Sequence, residues 1–148
     1  MASTYARNLQ RIVNDYMASG RPVATAREMA AWAVHSGLWK PQPADVINQC
    51  AEQLSRAMRE EYVVDPQGRS VRAKHAARIE QLVLWADIRT ATAAHMEIAF
   101  KQRRQQILGD CRQLQFDVDS FNENRKPPKL IQIIFDFTRD LEEEALAS

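Results

Sequence analysis

The chain has 148 residues, of which 45% are hydrophobic and 26% charged, and its formal net charge is +1. This composition suits a folded protein and excludes a disordered one, and no run of roughly 18 apolar residues is present to cross a membrane. Residues 1–78 hold eleven Lys and Arg against seven Asp and Glu, whereas residues 79–148 hold nine against twelve. The cationic excess therefore lies in the first half.

The first half begins with two predicted helices. Apolar residues recur at intervals of three and four over residues 4–17, which predicts an amphipathic helix. A second helix is predicted over residues 25–36, because Thr25 and Glu28 have the spacing of a capping box. Gly37 is expected to end that helix.

A third helix and a hairpin follow. Pro43 is expected in the first turn of a helix over residues 43–59, where a missing backbone N–H costs nothing. Residues 62–72 predict a β-hairpin around the turn Asp65-Pro66-Gln67-Gly68. In that turn proline presets φ and glycine supplies a positive φ.

The second half is predicted to be helical. Residues from Ala73 to about Leu114 hold no strong helix breaker before Gly109, so one long helix is expected. Residues 117–129 are polar and predict a loop. Pro127-Pro128 then predicts the start of a last helix to about Ala147, and a buried strand over residues 130–137 is the alternative that periodicity leaves open.

The order of three helices and a basic hairpin resembles the winged helix-turn-helix superfamily over about half of the chain. The fold class expected is mainly α with one β-hairpin: a winged-helix-like domain in residues 1–74, then a long helix and a returning C-terminal helix in residues 75–148. An alternative is that the two parts pack as a single domain. The resemblance implies binding of double-stranded DNA through the third helix and the wing, often by a dimer.

The candidate DNA-binding residues lie on the third helix and on the hairpin. Asn and Gln can bond adenine edges and Arg can bond guanine edges in the major groove. Cations on a wing can contact phosphates. The residues chosen on these grounds are Asn48, Gln49, Arg56, Arg59, Arg69, Arg72 and Lys74.

Other function classes receive less support. No phosphate-binding loop, nucleophile motif or metal-ligand spacing is present, so the sequence predicts no enzyme, metal, cofactor or small-molecule substrate. Two distant cysteines favour a cytoplasmic location. The alternative function is a helical interaction or assembly module with a purely structural wing. The long predicted helix favours a homo-oligomer formed through it.

Overall fold

The computed structural model describes residues 4–21, 23–42 and 44–147. Within this part, the chain forms two compact units, Met1–Leu54 and Ser55–Ser148, and the boundary falls inside the third helix. The division predicted between residues 74 and 75 stays a prediction. The elements in chain order are α1 Thr4–Ala18, α2 Ala26–His35, α3 Asp45–Glu60, β1 Tyr62–Val64, β2 Ser70–Arg72, β3 Lys74–Ile79, β4 Leu82–Asp87, α4 Ala93–Arg125 and α5 Thr138–Ala147.

The first unit has the helices that the sequence predicts, and α1 packs against α2. Its core is small, with Tyr16 and Ala33 as the buried apolar side chains among the described residues. The Tyr16 ring meets the Trp32 ring edge to face at 5.4 Å between centroids. Thr25 caps α2 by accepting a hydrogen bond from the Glu28 N–H at 3.1 Å. Pro43, the predicted first residue of the third helix, lies outside the described residues.

The first hairpin, β1–β2, is formed where it was predicted. Tyr62 pairs with Arg72 and Val64 with Ser70 in an antiparallel register. Gly68 has a φ of +86°, as the turn requires. One oxygen of the Asp65 carboxylate accepts from two backbone N–H groups of the loop, those of Gln67 at 3.0 Å and Arg69 at 2.8 Å. The turn is therefore stabilised by its own residues.

The expectation of a single helix from Ala73 to Leu114 is wrong, because residues 74–87 form a second hairpin, β3–β4. Ile79 pairs with Leu82, so Glu80 and Gln81 form a two-residue turn with φ values of +51° and +68°. Neither residue is one of the small turn formers that normally adopt positive φ. The segment is rich in good helix formers such as Ala, Arg and Leu, and tertiary packing overrides that preference. The fold is thus mainly α with two hairpins, one more than predicted.

The predicted loop at residues 117–129 is also wrong over most of its length, because α4 continues to Arg125. Hydrogen bonds between side chains four residues apart support this extension: Gln113 donates to Asp117 at 2.9 Å and Gln115 to Asp119 at 2.8 Å. Lys126, in the left-handed conformation, ends the helix.

The last helix begins later than predicted, at Thr138, and the run 130–137 is neither helix nor strand. Instead, the Asn122 side chain bonds the main chain of Ile131 on both sides. Its amide nitrogen donates to the carbonyl at 2.8 Å, and its oxygen accepts from the N–H at 3.1 Å. This pair of hydrogen bonds holds the segment against α4, although the segment itself forms neither a helix nor a β-strand.

The second unit is built where α4 packs on β3. Its buried side chains among the described residues are Ala73, His75, Ala77 and Ala99. These are mostly small, so the strand and the helix approach closely. In the part of the chain that the structure describes, no helix is both long enough and apolar enough to traverse a lipid bilayer.

Candidate anion-binding cleft

A cleft of about 240 Å³ lies in the second unit, between the exposed face of the β3–β4 hairpin and α4. The end of α3 and strand β2 complete its walls. It is lined by Arg59, Arg72, Lys74, His75, Ala76, Arg78, Val83, Trp85, Ala99, Gln102, Arg103 and Gln106. Five of these side chains carry a positive charge and none is a carboxylate.

The alternation of side chains along the hairpin explains how several of these groups meet. Residues two apart in a strand point to the same face, and directly paired residues share a face. Ala76 pairs with Trp85 and Arg78 with Val83. Lys74 therefore lies on the same face as Arg78 and Trp85, whereas Ala77 points to the opposite face and is fully buried.

Gln102 fixes α4 along β3 beside the cleft. Its amide oxygen accepts from the Arg78 N–H at 2.7 Å, and its amide nitrogen donates to the Arg78 carbonyl at 2.8 Å. The side chain thus replaces a strand partner at the edge of the hairpin. Since both bonds go to the main chain, the Arg78 side chain is free of them.

The buried residue His75 connects the elements that form the cleft. Its Nε2 donates to the Arg72 carbonyl at 2.8 Å, and its own carbonyl accepts from His95 Nε2 of α4 at 3.0 Å. The His75 ring also meets the Phe100 ring edge to face at 5.3 Å. Strand β2, strand β3 and α4 are therefore joined through a single buried side chain.

The cleft arginines differ from the cleft lysine in their partners. Among the described residues, no carboxylate lies within ion-pair distance of Arg59, Arg72, Arg78 or Arg103. The Arg59 guanidinium lies over the Trp85 ring at 5.7 Å from the centroid, a cation–π contact that leaves its charge uncompensated. The cleft therefore presents four unneutralised guanidinium groups.

Lys74 is neutralised by its own molecule. Its Nζ lies 3.0 Å from Glu61 Oε2 and 3.1 Å from Asp87 Oδ2, and these two hydrogen bonds raise the pKa of Lys74. Asp87 also accepts from Arg89, whose side chain and backbone N–H, followed by Lys74, hold the pKa of Asp87 well below its usual range. Lys74 therefore serves the structure of the hairpin more than an external anion.

Arg69, at the tip of the first hairpin, is also paired. Its Nε lies 2.8 Å from Asp65 Oδ2, although 72% of the side chain is exposed. Bonds from the Arg69 backbone N–H and then its side chain contribute to a lowered pKa of Asp65. The pair reduces the net charge at the tip of the first hairpin, and Arg69 is not among the residues that line the cleft.

The predicted readers on α3 lie apart from this cluster in sequence and environment. Asn48, Gln49 and Arg56 are exposed and do not line the cleft, and Asn48 and Gln49 belong to the first compact unit. Of the seven predicted residues, the structure brings three together at the cleft: Arg59, Arg72 and Lys74.

Arg78, Trp85 and Gln102 were missed because the strands that present two of them were read as helix. Comparisons with protein-family profiles, curated proteins and solved structures find no match for this chain. The winged-helix likeness therefore stays a prediction.

Proposed function

We propose that the protein binds DNA and that the cleft arginines contact its phosphates. The observation that carries this proposal is the convergence of Arg59, Arg72, Arg78 and Arg103 on one cleft without carboxylate partners in the described chain. Unpaired like charges repel one another, so such a cluster is stabilised by a bound anion. Guanidinium groups also suit phosphate because their donors form a planar fork.

The size of the cleft favours contact with a backbone strand. A volume of about 240 Å³ is too small to enclose a duplex, so the DNA would lie across the opening with phosphates directed inward. Arg56 near the end of α3 and the first hairpin, which belong to the same unit as the cleft, would then contact the DNA as well, in the manner of a winged helix. In this proposal Arg69 makes a weaker contribution, since binding a phosphate competes with its pair to Asp65.

A salt titration of duplex binding tests the proposal. Fluorescence anisotropy with a labelled duplex would compare the wild type with the double variant Arg78→Gln/Arg103→Gln, whose side chains are exposed and can be exchanged without unfolding. We expect affinity to fall about tenfold and the slope of log K against log salt to decrease by about 2, as for two lost phosphate contacts.

The matched control is Arg27→Gln/Arg139→Gln, which removes the same charge from exposed positions outside the cleft. This variant should retain nearly the wild-type salt slope. Equal losses in the two double variants would show that only net charge matters and would contradict the cleft. Wild-type protein that binds no duplex at low salt would contradict DNA binding altogether.

A second candidate function is helical assembly, and the exposure of large apolar side chains along α4 favours it. Ile107, Leu108 and Phe116 are each more than half exposed. Exposed apolar surface of this kind is typical of sites that bind another protein. In this role the first hairpin would be structural.

A further inference from the structure

One side of α4 carries a large apolar residue at every seventh position. Phe100, Ile107, Leu114 and Phe121 are 49%, 53%, 43% and 43% exposed. Seven residues make almost two helical turns, so these four side chains form a stripe along the helix. Cys111 lies on the same side between the two central members. A seven-residue apolar repeat is the pattern by which long helices pair.

The second unit covers this stripe only in part: the Phe100 ring packs on His75 and Arg125 lies over the Phe121 ring, and 43–53% of each of the four residues stays exposed. The C-terminal segment 130–134 lies instead against the neighbouring side of α4, where it meets Gln115, Val118 and Asn122. The two main-chain bonds from Asn122 to Ile131 hold it there. Segment 130–134 is therefore bound to that side of α4 and does not cover the stripe.

The charges on α4 are divided between its two halves. Residues 93–108 carry three cations against one carboxylate, and residues 109–125 carry four carboxylates against two cations. In the first half Lys101 is paired with Glu97 of its own helix at 2.8 Å, which leaves Arg103 and Arg104 as the cations that flank the stripe. In the second half Asp110 and Asp117 flank the stripe, each three residues after one of its members, whereas Asp119 and Glu123 lie further round the helix. Each half thus complements the other half of an identical helix that runs in the opposite direction.

We infer that a second copy of this chain covers the stripe, and that the two α4 helices pair antiparallel about the middle of the helix. This arrangement buries the four apolar side chains of each copy and places the basic half of one helix beside the acidic half of the other. A parallel pair would place like charges together at both ends, which is unfavourable. The inference gives the assembly function a specific partner and does not depend on DNA binding.

Light scattering on the full chain without nucleic acid tests the pairing. The wild type should have twice the 17.0 kDa mass of one chain. Leu114→Asp places a charge in the stripe and should shift the protein to monomer. Phe116→Asp is the matched control, because Phe116 is 53% exposed and lies about 200° further round the helix. It should stay dimeric.

Disulfide trapping tests the direction of the pair. In a Cys50→Ser/Cys111→Ser background, Arg103→Cys and Asp117→Cys variants should cross-link with each other when mixed and oxidised, and neither should cross-link efficiently alone. Efficient cross-linking of each variant with itself would indicate parallel helices and overturn the inference. A wild type that stays monomeric at the highest soluble concentration, or a dimer that both aspartate variants disrupt equally, would also overturn it.

Discussion

The two hairpins of the second unit have the same antiparallel pairing and are held together by different means. In β1–β2 the turn is stabilised locally, through Gly68 and the bonds that Asp65 accepts from its own loop. In β3–β4 the turn residues Glu80 and Gln81 have positive φ without a residue type that favours it, and the strand is held by α4. A local turn leaves a signal in the sequence, whereas a strand held by a distant helix leaves little.

The largest expected effect is the loss of packing under the second hairpin. Ala77 is fully buried on β3, so Ala77→Asp would bury an unpaired charge and lower the free energy of unfolding by about 3 kcal/mol or more. Val64 on β1 is 74% exposed, and Val64→Asp should change it by no more than about 0.5 kcal/mol. Urea denaturation followed by circular dichroism measures both. Similar losses in the two variants would contradict the dependence of the second hairpin on α4.

The turns should respond to substitution in opposite directions. Gly68→Ala meets no atom within 4 Å, so its cost comes from the positive φ alone and should be about 1–2 kcal/mol. Glu80→Asn/Gln81→Gly supplies the residues that a two-residue turn with positive φ prefers, and should stabilise by up to about 1 kcal/mol. Thermal unfolding of both variants provides the comparison. A destabilised Asn-Gly variant would mean that the Glu80 and Gln81 side chains support the hairpin themselves.

The smallest expected effect is a change in thermal stability at acid pH. The pKa values of Asp65 and Asp87 are both lowered in the folded protein, so each carboxylate contributes stability above its unfolded pKa, about 4, and loses it as the pH falls through the folded pKa. Asp87→Asn should flatten the decline of Tm below pH 4 more than Asp65→Asn, because Asp87 accepts from both Lys74 and Arg89. Melting curves from pH 7 to pH 2 test this order, and identical curves for the wild type and Asp87→Asn would contradict it.

The same contrast explains how much of the molecule could be predicted. Helices α1 to α3 and the first hairpin follow from apolar spacing and from caps and turns within a few residues, so their positions were found from the sequence. The second hairpin could not be found, because Glu80 and Gln81 do not indicate a turn and its strand is held by contacts with α4 that span 20 to 24 residues.

The cleft was predicted in part for the same reason. Arg59 and Arg72 lie on elements that the sequence locates; Arg59 was predicted to face the major groove and Arg72 to contact phosphates. Arg78 and Trp85 lie on strands that were read as helix, so nothing indicated that they would share a face. The charge of Lys74 is neutralised by Glu61 and Asp87, each thirteen residues away in the sequence. Composition gives no sign of these two contacts.

Ala73 is the one residue between β2 and β3, and its backbone is used on both sides. Its N–H donates to the Glu61 carbonyl at 2.9 Å, and its carbonyl accepts from the Ile88 N–H at 2.8 Å. These hydrogen bonds would have to break before one hairpin could rotate freely relative to the other at this junction. A force on the tip of the first hairpin would therefore be transmitted through the main chain to the strand that carries Arg78.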